Sequence, residues 1–346
     1  MRIRVLALGL ALALLTLVLP TGTAYAHEGW FVSEASHSGE HFLLDLTILL
    51  VAVGSILFLA SVVVVDRSKW YRRLDSVLAQ AQRRFPAGTE WKLVAVLSAV
   101  MLTANAITGV FLAPDLVLPT RGLVILGGVV QLLIGLLLLS KRSYPLAGLL
   151  TIAVALPLAG LYFPAGRLLD YLIEFAALAL AFIFAGLGSG YLDRRMCKWL
   201  RHNPAHTTHL PLPVIRVGIG LTFVVLALHN KLLSPSMALT FLDQHDLNFL
   251  RQLGFSGFTN LHFVFAAGMT EVALGLLLAA GVATRFVAVA LVAVFLTTLA
   301  VLGPIELLGH LPLIGIAVLL VFRGSGGYRL AASAASGGDN RAPQVA

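Results

Sequence analysis

The stretch NLHFVFAAGMTEVALGLLLAAG, residues 260–281, holds a single carboxylate, Glu271, among apolar and small residues. About 20 such residues form a helix long enough to cross the hydrocarbon core of a membrane, so this stretch predicts a transmembrane helix. A charged carboxylate at that depth costs about 3 kcal/mol unless it is paired or protonated. Glu271 is therefore the first candidate for a functional residue.

The whole chain shares this apolar character. Of its 346 residues, 59% are hydrophobic and 12% are charged, and the mean hydropathy is +0.93, which exceeds what a water-soluble core can bury. We predict an all-α polytopic membrane protein whose partner is the lipid bilayer. Windows of about 20 residues predict nine transmembrane helices, at 42–65, 91–113, 121–140, 144–163, 168–187, 213–233, 259–281, 285–303 and 305–323.

Residues 1–26 have the pattern of a secretory signal peptide. Arg2 and Arg4 precede an apolar run, residues 5–19, and Ala24-Tyr-Ala26 has the small-x-small pattern of a cleavage site. Cleavage after Ala26 would make His27 the first residue of the mature protein. The alternative is an uncleaved first helix.

The basic residues predict the orientation of the helices, because Lys and Arg in short loops remain on the cytoplasmic side. With His27 outside, all but six of the 24 Lys and Arg residues fall on the inside; two of the six belong to the signal peptide, and the others are Arg121, Arg167, Lys231 and Arg251. This asymmetry predicts a bacterial plasma-membrane protein with its N-terminus outside and its C-terminus in the cytoplasm. Because the basic residues are spread over several loops, the pI of 10.0 does not indicate a nucleic-acid partner.

Two blocks of four helices resemble each other in sequence. Gln131-Leu-Leu-Ile-Gly135-Leu-Leu-Leu in the first matches Glu271-Val-Ala-Leu-Gly275-Leu-Leu-Leu in the second, and Gly188-Ser-Gly-Tyr closes the first as Gly324-Ser-Gly-Gly-Tyr closes the second. Helices two to five would then match helices six to nine in the same orientation, as in other parallel repeats. The alternative is a chance match between segments rich in Leu, Gly and Ala.

The predicted organisation has eight segments. They are a signal peptide (1–26), an outer N-terminal segment (27–41), the first transmembrane helix (42–65), a basic cytoplasmic loop (66–90), the first four-helix block (91–190), a cytoplasmic loop (191–212), the second four-helix block (213–323) and a disordered cytoplasmic tail (324–346). Within the second block, residues 238–254 mix apolar and charged residues in a pattern that predicts an amphipathic helix on the outer surface.

The second block resembles the DoxX/DoxD family of four-helix membrane proteins over about a third of the chain. The resemblance rests on Arg216-x-Gly-x-Gly, on Asn230-Lys-Leu, on Glu271-x3-Gly-Leu-Leu-Leu-x2-Gly-x2-Thr-Arg285 and on His310-Leu-Pro. It implies a DoxX-like bundle and a role such as the membrane subunit of a thiosulfate:quinone oxidoreductase or a partner of redox-defence enzymes. The chain has no soluble companion domain, so it would be at most the membrane subunit of a quinone-linked oxidoreductase.

The candidate catalytic residues lie in the second block. They are Glu271, His229, Lys231, His310 and Glu306, with Asn230 as a cofactor-binding residue. Glu271 lies about 12 residues into its helix, or roughly 18 Å, which predicts a position near the bilayer midplane. Lys231 and a protonated His310 would hold an anionic or quinone oxygen, with which Glu271 exchanges a proton. The alternatives are that Lys231 extends to the membrane interface and that Glu271 is a neutral residue hydrogen-bonded between helices.

A second candidate site lies at the start of the mature protein. The metal-ligating candidates are His27, Glu34, His37, His41 and Asp45. A helix extended outward from the first transmembrane helix would carry the last four on one stripe. Imidazole and carboxylate groups suit copper, zinc or iron, and a free N-terminal histidine also offers its amine to copper. The alternative is a solvated segment anchored at the interface by its aromatic residues.

Three functions remain open from the sequence. The first is a redox-associated membrane subunit with a quinone as cofactor, the second is a protein that handles copper or zinc at its N-terminal segment, and the third is a scaffold that holds a soluble redox enzyme at the membrane. The single cysteine, Cys197, excludes a dithiol relay or a disulfide within the chain. No motif of a hydrolase or an ATP-driven protein is present in the sequence.

Overall fold

The computed structural model describes residues 32, 36–37, 40–82, 88–187 and 210–326. Within these ranges the chain is all-helical and forms no strand. The predicted signal peptide, nearly all of the predicted loop 191–212 and the tail after residue 326 lie outside the described residues. The metal candidates His27 and Glu34 lie outside them as well.

The described ranges form twelve helices. They are α1 (Leu46–Asp66), α2 (Lys69–Gln82), α3 (Thr89–Thr108), α4 (Arg121–Leu138), α5 (Lys141–Tyr162), α6 (Ala165–Gly186), α7 (Pro211–Leu232), α8 (Ser236–His245), α9 (Phe249–Gln252), α10 (Asn260–Ala280), α11 (Thr284–Leu302) and α12 (Pro304–Arg323). A helix lies at each of the nine places where the sequence predicts a membrane span. Seven of these helices, α1, α3 to α7 and α10, are long and apolar enough to cross a membrane. The chain is therefore a multi-pass helical membrane protein.

Two details of the predicted secondary structure are wrong. The predicted basic loop 66–90 contains the helix α2, which buries Tyr71 in the core. The single outer helix predicted over 238–254 is broken into α8 and α9. Asp246 ends α8 in the left-handed region, with φ 46°, a conformation that the short polar side chain of Asp tolerates.

A π-helical turn occurs in α5, at Thr151–Ala155, and another in α7, at Ala227–Leu232. Such turns add one residue to a helical turn and are frequent at functional sites. The turn in α5 precedes Pro157, which has no backbone N–H for the α-helical ladder. The turn in α7 has no proline, and it carries three of the predicted site residues, His229, Asn230 and Lys231.

The two four-helix blocks, α3 to α6 and α7 with α10 to α12, pack their helices in the same arrangement. In each block the first helix packs on the second and the third packs on the fourth. The first helix of each block also packs on the fourth helix of the other block, so that α3 contacts α12 and α7 contacts α6. A two-fold relation between the blocks would produce this exchange, which supports the duplication predicted from the sequence. The helix α1 lies outside both blocks and packs on α10.

Glycines at matching positions lie between the first and second helices of each block. Gly128 and Gly135 of α4 face Ala106 and Ala99 of α3, and Gly268 and Gly275 of α10 face Leu232 and Gly220 of α7. A Cβ atom on Gly275 would lie 2.6 Å from the Gly220 carbonyl oxygen, whereas one on Gly135 would lie 3.4 Å from that of Ala99. The backbones of α7 and α10 therefore approach more closely than those of α3 and α4.

The bundle has two polar ends. We call the end formed by residues 36–37 and 40–45, α8, α9 and the start of α10 the capped end, and the end formed by α2 and the connection from α10 to α11 the basic end. At the basic end, Arg285 binds Asp75 of α2 and two carbonyl oxygens near the end of α12. Arg323 Nε lies 3.2 Å from Glu90 Oε1. These bonds hold α2 and the start of α3 against α12.

Candidate functional site

An ion pair joins Lys231 of α7 to Glu271 of α10. Lys231 Nζ lies 3.2 Å from Glu271 Oε2, and the two side chains are 17% and 30% exposed. The contact depends on Gly268, because a Cβ atom there would lie 2.9 Å from Leu232 Cδ2 and 3.2 Å from Lys231 Cβ. The structure thus brings two predicted site residues together. It directs the ammonium group toward Glu271.

Glu271 lies between Gly268 and Gly275 of α10. Gly275 packs beside Gly220, and Gly268 packs beside Lys231. Glu271 is therefore level with the last two turns of α7. The helix α10 also contacts α8. The position of Glu271 near the bilayer midplane stays a prediction.

Two residues of the π-helical turn bind a carboxylate that is not among the predicted site residues. Asp170 Oδ1 accepts hydrogen bonds from Asn230 Nδ2 and from His229 Nδ1, each at 3.1 Å. None of the three residues is more than 7% exposed. The bond to Asp170 assigns the proton of a neutral His229 to Nδ1. The Nε2 atom then faces the first turn of α6, 3.9 Å from the place a Cβ of Gly166 would take.

A second buried carboxylate, Glu174, lies one turn further along α6. It is 4% exposed and within electrostatic range of His310 of α12, which is also buried. Aligning Gly188-Ser-Gly with Gly324-Ser-Gly matches Glu174 with His310 and Asp170 with Glu306. Glu174 and His310, which this alignment matches, thus lie near each other in the bundle. The side chain of Glu306 lies outside the described part of the chain, and only its helix is described.

The first block has an amide where the second has Glu271. Gln131 is fully buried; its Oε1 accepts from Leu112 N and its Nε2 donates to Val110 O, each at 2.9 Å. Asn105 Nδ2 also donates to Leu112 O, at 2.9 Å. These amides hold the backbone that follows α3 and leave no charge there. An ion pair fills the matching place in the second block.

In the described part of the N-terminal segment, residues 36–37 and 40–45, the chain does not form the helical stripe predicted for a metal site. Residues 40–45 are not helical, because Asp45 caps α1 by accepting a hydrogen bond from Ile48 N at 2.7 Å. His41 is exposed, and His37 Nε2 lies 2.6 Å from Asp243 Oδ2. In the described ranges no group of three or more His, Cys, Asp or Glu side chains could hold a metal ion. A metal site that includes His27 or Glu34 stays a prediction.

Two histidine–carboxylate pairs hold this segment to α8 and to the start of α10. Besides the pair of His37 with Asp243, Asp45 Oδ2 lies 2.7 Å from His262 Nε2. The hydrogen bond from Ile48 N, with that from His262, lowers the pKa of Asp45. Partial burial opposes the ionisation of Asp243, but hydrogen bonds from His37 and Asn260 outweigh it and lower its pKa. Both carboxylates are therefore charged at neutral pH.

The site contains two residues that our sequence analysis missed, Asp170 and Glu174. The cost of a buried carboxylate in an apolar helix, which singles out Glu271, applies equally to Glu174, so that signal was present in the sequence. The partners of Asp170 follow only from the packing of α6 on α7. Comparison of the chain with family models, curated proteins and solved structures gave no match.

Proposed function

We propose that this protein is a DoxX-like membrane subunit, or accessory protein, of a quinone-linked redox system. In this proposal α11 and α12 also span the bilayer, which is the bacterial plasma membrane. The capped end faces outside, and the basic end, with Arg285 and Arg323, faces the cytoplasm, as the bias of basic residues predicts. A soluble redox enzyme would supply the electrons.

The observation that carries the proposal is the ion pair of Lys231 with Glu271. Ionisable residues inside transmembrane bundles are rare and commonly mark substrate sites or proton relays. A quinone takes up two electrons and two protons to become a quinol. Lys231 would hold the oxygen that becomes negative, and Glu271, which is partly exposed, would exchange protons with it.

The buried groups next to the ion pair suit the same role. His229 lies on the same π-helical turn as Lys231 and is hydrogen-bonded to Asp170 at 3.1 Å. Glu174, one turn further along α6, and His310 are also buried. In this proposal these buried ionisable groups would take part in proton exchange within the bundle.

The test is quinone binding by purified full-length protein. We expect Glu271→Gln and Lys231→Met each to raise the Kd for a short-chain quinone, such as decylubiquinone, about tenfold. A hydrogen bond to a charged group contributes roughly 1.5–3 kcal/mol. Thr270→Val, next to Glu271 and exposed, is the matched control and should bind normally.

A scaffold without chemistry of its own predicts a different result. Both variants would then bind the quinone as the wild type does, or the wild type would not bind it at all. A soluble redox enzyme would still co-purify with each of them. That outcome would refute the quinone proposal and leave the scaffold as the function.

A further inference from the structure

The helix α2 has a side that packs on the protein and a side that does not. Tyr71 is 5% exposed and Asp75 binds Arg285, so this side is fixed against the bundle. Trp70 and Val77 lie roughly a third of a turn away, at 100° per residue. They are 68% and 60% exposed, and they form an apolar stripe seven residues apart.

The third side of α2 is basic. Lys69, Arg72 and Arg73 are all exposed and lie on the far side of the apolar stripe from Tyr71. An apolar stripe between a packed side and a basic side is the pattern of a helix that lies in the membrane interface.

The position of α2 along the chain agrees with that pattern. The apolar residues of α1 remain exposed into its last turn, with Val64 69% and Val65 44% exposed. The next helix begins at Lys69, three residues after the end of α1 at Asp66. The helix α2 therefore starts where the lipid-facing surface of α1 ends.

We propose that α2 lies in the membrane interface and that its basic side binds the headgroups of anionic phospholipids. Trp70 and Val77 enter the boundary between headgroups and acyl chains, where tryptophan is favoured. Lys69, Arg72 and Arg73 then lie at the level of the phosphates. A second copy of the chain is a poorer occupant, because a stable interface buries about 800 Å² per partner and two side chains offer much less.

The depth of α2 can be measured with the full-length protein in nanodiscs. A fluorophore that reports polarity is attached to Val77→Cys, or to Ser76→Cys on the basic side, with Cys197→Ser to remove the native thiol. We expect emission at position 77 to shift to shorter wavelength and to be quenched by spin labels on the acyl chains, and emission at position 76 to change little. Equal quenching at the two positions would overturn the proposal.

The choice of lipid is tested by energy transfer from position 77 to labelled phosphatidylglycerol or phosphatidylcholine. Each basic residue near the surface should enrich the anionic lipid by up to about fivefold. We expect the triple substitution Lys69→Gln, Arg72→Gln and Arg73→Gln to reduce the enrichment to near one, and Arg121→Gln, at the start of α4, to leave it unchanged. Enrichment that survives the triple substitution, or that Arg121→Gln removes equally, would overturn the recognition of anionic lipid by α2.

Discussion

Replacing Gly275 by alanine should separate α7 from α10. The new Cβ atom would lie 2.6 Å from the Gly220 carbonyl oxygen and 2.9 Å from Val224 Cγ2. A backbone carbonyl cannot rotate away as a side chain can, so one helix must move. Overpacking of this kind lowers the free energy of unfolding by about 1–3 kcal/mol, and the upper value is expected here. The higher helix propensity of alanine raises it by about 1 kcal/mol. The free energy of unfolding should fall by about 2 kcal/mol.

Gly135→Ala is the matched substitution in the first block. Its Cβ atom would lie 3.4 Å from the Ala99 carbonyl oxygen and 3.5 Å from Thr103 Oγ1, contacts that a small shift accommodates. The gain in helix propensity then leaves this variant neutral or up to about 1 kcal/mol more stable. The two variants should therefore differ by about 2–3 kcal/mol, or roughly 4–12 °C in Tm on the scale of soluble domains.

Thermal unfolding in detergent, followed by tryptophan fluorescence, measures this difference. Because Glu271 lies one turn from Gly275, Gly275→Ala should also weaken quinone binding, whereas Gly135→Ala should not. Equal Tm values for the two variants, or a Gly275→Ala protein as stable as the wild type, would show that α7 and α10 do not approach as closely as described.

Three further predictions concern the ion pair, the cap and the orientation. A double-mutant cycle of Lys231→Met and Glu271→Gln should give a coupling energy of about 1–2 kcal/mol in unfolding by SDS, between the values for exposed and buried pairs; a coupling below about 0.3 kcal/mol would contradict the pair. The pKa values of Asp45 and Asp243 are lowered from 3.8, so the hydrogen bonds that the two carboxylates accept should be complete above about pH 4 and be lost as the pH falls through those lowered values. The Ile48 amide, which donates to Asp45 Oδ1, should therefore be protected from hydrogen exchange at pH 5, after correction for the intrinsic rate, and lose protection below pH 3.8, and loss already at pH 5 would contradict this. In a Cys197→Ser background, an impermeant thiol reagent should label Gln244→Cys in intact cells and Ser76→Cys only after the membrane is opened; the reverse result would invert the proposed orientation.

The helices could be located from the sequence because a bilayer requires about 20 consecutive apolar residues. That requirement is local, and a helix lies at each of the nine places it predicts. The helix α2 was not predicted because it is short and its mixed composition resembles a charged loop. Its helical form is supported by contacts with α12 and Arg285, more than 200 residues away, which no local pattern contains.

The sequence predicted only part of the site, because some of its contacts depend on the packing of helices that are distant in the chain. Lys231 and Glu271 stood out as charges in apolar helices, and their pairing follows from the contact of α7 with α10. Asp170 is bonded to His229, 59 residues away, and only the packing of the fourth helix of one block on the first helix of the other brings them together. The N-terminal stripe failed because periodicity does not show whether Asp45 lies inside a helix or caps it.

The exchange of helix partners between the blocks has a consequence for cutting the chain in two. If the chain were cut between α6 and α7, neither half would retain its full set of helix contacts, because α3 packs on α12 and α7 packs on α6. Each fragment expressed alone should be degraded or should pair with a second copy of itself, whereas the two expressed together should reassemble. If the two blocks arose by duplication, the single ancestral block would have folded only as a dimer.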